Sequence, residues 1–300
     1  FLFLILGASK SYSSAVTQVD VRIFNDADDE SSVHTMGTVE FNNDGTKMFT
    51  VYHNKGGGAG SAGDDLINQY TLTTPYDIST ATYDGDDERC EFSDTSTTVA
   101  TSLGFRFSDD GMKIFVAQRG LNGVHNSYVN RLDLTTAFDI STASYSQNFD
   151  FSAQEQGPRD LAFNDDGTKM FIVGLRGDKV YEYTLSTAFD VSTASFDSSF
   201  SVSGQEVYPH ALAFNTDGTK MFVAGYAGHD VNEYTLSTAW DVSTASFVDS
   251  FDISGQTTQV RGLAFSKDGT KMFITNNVGN TIAVSYTHLR AHETREDRVW

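Results

Sequence analysis

Arg159, His210 and Arg261 recur at intervals of 51 residues, each two positions ahead of a Leu-Ala-Phe run. A guanidinium meets a carboxylate, phosphate or sulfate through two parallel hydrogen bonds, so an Arg, His, Arg set gathered at one rim would form an anion site. These three are the candidate ligand-binding residues, and the corresponding positions of two earlier stretches hold Gly37 and Leu103. The competing reading is that each cation pairs with a local carboxylate such as Asp160, Glu206 or Asp230, since a surface ion pair needs no function to exist.

Two acid-rich stretches, DADDE (Asp26 to Glu30) and DGDDE (Asp84 to Glu88), offer oxygen ligands of the kind Ca²⁺ takes. Neither has the Glu at the twelfth position that an EF-hand loop requires, and charge runs of this type read first as solvated loops. Calcium is therefore the one cofactor that enters the reading, and no metal ligand is assigned to it. No GxSxG or HExxH sequence occurs, and GGGAG (Gly56 to Gly60) lacks the Lys-Ser/Thr of a phosphate loop, so no catalytic residue is assigned. Cys90 is the single cysteine, which excludes an intrachain disulfide and every Cys-based zinc or iron–sulfur spacing. It is expected to be buried, because an isolated thiol packs as a small hydrophobe.

What must position these residues is a repeat. The phrase aromatic-x-x-Asp-Gly-x-Lys-x-Phe begins at Phe41, Phe107, Phe163, Phe214 and Phe265, and residues 160–210 match 211–261 at 32 of 51 positions without a gap. Two units so alike must share one backbone. Within the unit starting at Ala211, LAFN, KMFVAG, VNEYTLS and FVDSFDIS are short runs rich in Phe, Val, Tyr and Thr, separated by Gly, Asp, Asn and Ser, which is the composition of strands and tight turns. The Gly of each Asp-Gly supplies the positive φ that the hairpin needs, and the Asp is a turn former before it is a ligand. A second phrase, LSTAFDVSTASF from Leu185, returns at Thr73, Thr135 and Ser237 and bridges the third and fourth strands. Asp190 with Ser192 and Thr193 suits an Asx turn. The aromatic before each such Asp (Tyr76, Phe138, Phe189, Trp240) is expected to fill a gap between repeats, with sugar stacking as the alternative.

Four strands per unit cannot bury a face alone, and units arranged radially form an all-β propeller of four-stranded blades, four full and a fifth partial in this sequence. The last unit, FSKDGTKMFITNNVGNTI from Phe265 to Ile282, resembles the YVTN-type repeat, related to NHL and lactonase-like propellers. The resemblance implies six to eight blades, with this chain as a fragment, and ligands at the face where the loops entering the first strand and joining the second to the third open. Residues Val16 to Phe24 are expected to supply an outer strand that closes the last blade, with Val19, Val21 and Ile23 on one face. Lactonase-like relatives hold a metal with residues that differ between blades, whereas the third and fourth units here are nearly interchangeable. That favours a ligand-binding or structural module, the alternative being a propeller hydrolase with catalytic residues in missing blades.

Forty acidic against twenty basic residues give a net charge of −20, which repels a nucleic-acid backbone and leaves protein, glycan or small anionic molecules as partners. No run is long enough to span a bilayer, and a monomer is expected. FLFLILG followed by ASKSYSSA reads as a signal-peptide remnant over 1–15, so the chain is expected at the cell surface, outside the cell or in a periplasm. The propeller is expected over 16–282. From Val284 the repeat pattern is lost, and VSYTHLRAHET is what a sequencing-library transposase-end adapter encodes when read in frame, so 283–300 is expected to be a non-native tail.

Overall fold

The computed structural model describes residues 17–24, 34–54, 65–91, 101–119 and 126–286. They form five antiparallel sheets, one per blade. The first blade holds β2 (His34–Phe41), β3 (Lys47–Asn54), β4 (Leu66–Leu72) and the short outer strands β5 (Ala81–Tyr83) and β6 (Arg89–Glu91). The second holds β7 (Thr101–Phe107), β8 (Lys113–Arg119), β9 (Ser127–Asp133) and β10 (Ser144–Asp150). The third is β11 (Pro158–Phe163), β12 (Lys169–Gly174), β13 (Lys179–Leu185) and β14 (Ala194–Ser201). The fourth is β15 (Pro209–Phe214), β16 (Lys220–Gly225), β17 (Asp230–Leu236) and β18 (Ala245–Asp252). The fifth takes β19 (Val260–Phe265), β20 (Lys271–Asn276) and β21 (Thr281–Tyr286) from one end of the chain and β1 (Thr17–Ile23) from the other, in the order β1-β21-β20-β19.

The five blades of this chain close into a ring. An open arc of five blades has four interfaces, and here there are five apolar clusters, one between each neighbouring pair, the last joining Ala264 and Phe273 of the fifth blade to Met36 and Met48 of the first. Polar bonds follow the same seam: Thr275 Oγ1 donates to the Gly37 carbonyl (2.6 Å), the Met36 N–H donates to Asn280 Oδ1 (3.1 Å), and Arg22 of β1 reaches the Ile78 carbonyl (2.7 Å). The second strands explain the continuous apolar runs. On β12, Met170 and Ile172 pack toward the second blade while Phe171 and Val173 pack toward the fourth, so both faces are buried and no polar alternation survives.

The outer position of β1 is as expected, but its apolar face is not covered. Val21 is 43% and Ile23 60% exposed, because the outer strand of a blade lies beyond the reach of its neighbours. Strand β21 runs through Tyr286, four residues into the segment expected to be a tail, and Ala283, Val284 and Ser285 are buried there. Residues 1–15, the acidic stretch Asp26 to Glu30, the Gly56 to Gly60 loop and 287–300 lie outside the described residues.

The turns follow the sequence reading. Gly45, Gly111, Gly167, Gly218 and Gly269 have φ between 68° and 72°, while the adjacent Asp closes the turn, Asp44 Oδ1 accepting from the Thr46 N–H at 2.9 Å. The aromatic of the second phrase is itself left-handed, with φ of 53° to 62° at Tyr76, Phe138, Phe189 and Trp240. Its N–H donates to the turn glycine's carbonyl and its ring lies over that glycine, and Tyr76, Phe189 and Trp240 each also meet a phenylalanine of the preceding blade, as Trp240 does Phe171. The rings fill inter-blade space, which is the packing role expected of them. Each freed carbonyl takes a cation from the preceding blade: Lys47 to Phe138, Arg131 to Phe189, Lys169 to Trp240 and Lys271 to Tyr76, at 2.9 to 3.2 Å. Lys47, Lys169 and Lys271 are thus blade-to-blade straps. Asp77, Asp190 and Asp241 each cap a single 3₁₀ turn by accepting from the N–H two residues on. Cys90 is buried on β6 between the first two blades.

Candidate functional site at the mouth of the ring

Arg159, His210 and Arg261 begin the innermost strands of three consecutive blades, and each sits on a break in register. Pairing with the second strand skips from Pro158 to Asp160, from Pro209 to Ala211 and from Val260 to Gly262. A bulge of this kind re-aims the residue it leaves unpaired. The loops around them are fixed from below: Glu155 accepts from the Gly157, Arg176 and Gly177 N–H groups (2.6 to 3.1 Å), and Glu206 accepts from Tyr208, Ala227 and Gly228 (2.7 to 3.2 Å). In the third and fourth blades, therefore, one buried carboxylate clasps the loop entering the first strand to the loop joining the second and third, while the fifth has Thr257 at that position.

That clasp spends the acids that the competing reading assigned to the cations. Asp160 is bound by Arg106, Glu206 by backbone N–H groups, and Asp230 by the Asn232 side chain at 2.8 Å. Among the described residues neither Arg159 nor Arg261 has a hydrogen-bonded or ion-paired carboxylate. Their Nε atoms are buried without a partner, and so is the Tyr226 hydroxyl beside them. His210 is 2% exposed and stacks on Tyr226 with 4.1 Å between centroids and 12° between planes. The Arg261 guanidinium lies 5.0 Å from the centroid of the same ring.

The electrostatics are those of crowded cations. Burial, then Arg261 and Arg119, push the Arg159 pKa down to about 10, with only Tyr226 and Glu155 acting the other way at longer range. Burial and the charge of Arg159 lower His210 to about 3, so its imidazole is neutral. Nδ1 lies 2.8 Å from the Tyr208 carbonyl, which only accepts; Nδ1 therefore carries the proton and Nε2 is left as an acceptor. The sequence-predicted trio is thus joined by Tyr226 and Arg119, which the repeat comparison did not single out. Tyr226 replaces Leu175 of the preceding unit at the end of the second strand, a small-to-read but legible exchange. Of the acid-rich stretches, Asp84 accepts from Thr71 N–H and the Gln69 amide, and Asp86 from the Tyr83 hydroxyl. Among the described residues no group of three His, Cys, Asp or Glu side chains is placed to hold a metal.

A second constellation, invisible to the repeat reading, closes the ring below this mouth. At one position of the inner strand the five blades hold Glu40, Arg106, Ala162, Ala213 and Ala264. Arg106 comes from the second blade and bonds Glu40 (2.9 Å) and Thr38 Oγ1 (3.3 Å) of the first, Asp160 (2.8 Å) of the third and the Leu212 carbonyl (2.8 Å) of the fourth. Only a side chain lying across the axis reaches all three. Burial drives both carboxyls upward, Glu40 to about 7 and Asp160 to about 6, against the opposing pull of the guanidinium.

The fold and this mouth define a five-bladed β-propeller with a cationic opening at one end of the ring. No family model matches the chain, and no curated protein matches it. Among solved structures it is similar to a luciferin-regenerating enzyme, with 14% identity, TM-score 0.53, and coverage of 85% of this chain and 92% of that one. It is also similar to a periplasmic gluconolactonase of Pseudomonas aeruginosa, with 16% identity and TM-score 0.49, over 80% of this chain and 64% of that one. A third likeness is to the Cps50 (Swd1) propeller domain of Myceliophteria thermophila, with 9% identity and TM-score 0.48, over 91% and 99%. The chain thus spans less than two thirds of the gluconolactonase, and the likeness to the luciferin-regenerating enzyme, at 14% identity, shows the propeller fold alone. No helix among the described residues is long and apolar enough to cross a membrane.

Proposed function

We propose that this chain is a YVTN-like ligand-binding propeller, exported to the surface, the periplasm or the medium, that holds an anionic group at the mouth formed by Arg159, His210 and Arg261. The ligand is a small anion or the carboxylate, phosphate or sulfate of a protein or glycan. One observation carries the reading: in a chain of net charge −20, two largely buried guanidiniums converge on a neutral imidazole with no carboxylate spent on them. Charged groups that fold without a partner raise the energy of the empty site, and an anion removes that cost when it binds. The Tyr226 hydroxyl supplies a neutral donor, and the Nδ1-protonated His210 leaves Nε2 to accept from a protonated oxygen of the ligand. The hydrolase alternative gains no observation of its own from these residues.

Titration calorimetry with inorganic phosphate, sulfate and citrate tests the reading. Saturable binding that falls at least tenfold in both Arg159→Ala and Arg261→Ala, and that weakens with added chloride, is the expected result. Binding unchanged in both variants, or no binding of any of the three anions, refutes it.

A further inference from the structure

The opposite end of the ring is a separate chamber. Below Arg106, on the side of the Asp-Gly turns, lies a cavity of about 670 Å³, within the range of small-molecule sites. Its wall takes one phenylalanine from each blade, Phe41, Phe107, Phe163, Phe214 and Phe265, together with Trp240. Its space exists because three blades carry Ala where the other two carry Glu40 and Arg106. None of the mouth residues lines it, since Arg106 crosses the axis between the two.

The sign of its charge is set at the floor. Two carboxyls, Glu40 and Asp160, face one guanidinium. Asp160 is fully occupied, accepting from Arg106, from the Leu161 N–H (2.9 Å) and from the Leu212 N–H (3.0 Å). Arg106 has both terminal nitrogens engaged, so it has little left to offer an anion. Glu40 gives one oxygen to Arg106, while the other has no donor among the described residues and is not sealed off; its side chain is 19% exposed, onto the cavity it lines. The rim adds carboxylates, Asp165 feeling the charge of Asp109, and the two lysines there are both engaged: Lys267 with Asp109 (3.5 Å) and Asn43 (3.2 Å), Lys220 with Glu233 (2.7 Å). A surplus carboxylate at the base of an aromatic chamber favours a cation with a carbon body, which gains from the ring faces as well as from the charge.

We propose that this cavity binds a small organic cation, an alkyl or quaternary ammonium, its charge against the open oxygen of Glu40 and its carbon shell among the five phenylalanines. The site is independent of the anion mouth.

The test uses the full chain carrying Trp300→Phe, which leaves Trp240 in the cavity wall as the single tryptophan. Choline chloride is titrated against sodium chloride of equal ionic strength, with 3,3-dimethylbutan-1-ol as the uncharged isostere, and Trp240 emission is read. Choline is expected to saturate the signal, with the isostere binding at least tenfold more weakly. Glu40→Gln should bring the two to similar affinity, Phe163→Leu should weaken choline at least threefold, and Arg159→Ala should change neither. A signal that does not saturate by about 10 mM choline, roughly the weakest affinity worth calling a site, overturns the proposal. So does equal binding of choline and its isostere to the unmodified floor, or choline affinity unaffected by both Glu40→Gln and Phe163→Leu.

Discussion

Replacing Arg106 by Met is the most informative single perturbation, because it keeps a long apolar stem in place and removes only the guanidinium from the axis. Five oxygens lose a donor: Glu40 Oε1, Thr38 Oγ1, the Phe105 carbonyl, Asp160 Oδ2 and the Leu212 carbonyl. Breaking a buried ion pair from one side costs about 3–5 kcal/mol, most of it from the charge left behind. That penalty is avoidable only by protonation, which makes it depend on pH. Both carboxyls already have folded pKa values above their ordinary 4.5 and 3.8, at about 7 for Glu40 and about 6 for Asp160. A carboxyl raised on folding contributes stability below its unfolded pKa and loses it as pH rises through the folded value, so the parent ring weakens between about pH 4 and 7. Without Arg106 the two pKa values climb further and the weakening continues above pH 7. The variant is therefore expected to lose about 3–5 kcal/mol at pH 8 and about 1–2 kcal/mol at pH 5, where only hydrogen bonds are missing. Urea unfolding followed by circular dichroism at the two pH values reads the difference. Adding Glu40→Gln and Asp160→Asn to the variant should restore most of the loss at pH 8. An equal loss at both pH values, or no rescue by the amides, would refute the electrostatic account.

Gly218→Ala should destabilise by about 2 kcal/mol or more, since its φ is 68° and a Cβ would land in the Trp240 ring, whereas Gly204→Ala, with open space around it, should stay within about 0.5 kcal/mol in the same urea series. His210 is held neutral down to about pH 3, so the unfolded chain takes up a proton near pH 6.5 that the folded one refuses. Its contribution is full above pH 6.5 and is lost as pH falls toward 3, at about 1.4 kcal/mol per pH unit; His210→Phe, which keeps the stack on Tyr226, should flatten the acid limb by one proton, and an unchanged slope counts against the burial argument. Arg159→Gln removes a crowded charge that has no partner, so the ligand-free protein should melt no lower than the parent in scanning calorimetry; a drop of several degrees would mean that the guanidinium is paired after all.

The repeat made most of the fold legible, because strands, turns and blade number per unit follow from residues that recur. Asp44 and Asp190 declared their turns, and Tyr76 or Trp240 their packing, by returning at the same offset in every unit. What recurs cannot, however, reveal what breaks the repeat. Glu40 and Arg106 stand where three units have Ala, and their joint meaning appears only when the ring brings the first, second, third and fourth blades to one axis. The mouth trio was found by alignment, yet what aims its side chains is the bulge at Arg159, His210 and Arg261, a backbone event with no residue signature of its own. Five repeats allowed either a closed ring or an open arc, and the choice between them shows only in packing such as that of Phe273 on Phe41 across the last seam. On β1, alternation correctly placed Val21 and Ile23 together, but a face with nothing beyond it stays wet.

The pairing of β1 with β21 also has a timetable. Thr17 meets Tyr286 and Ile23 meets Thr281, so β1 is completed by a strand translated long after it. At about 5–20 residues per second, some 15 to 50 seconds separate the two. Throughout that interval four blades can stack while β1 waits with both edges unpaired, and the third strand of the fifth blade has yet to exist. Such a strand is a template for any matching edge, including the fifth blade of another nascent copy, so crowding on one messenger favours exchanged rings.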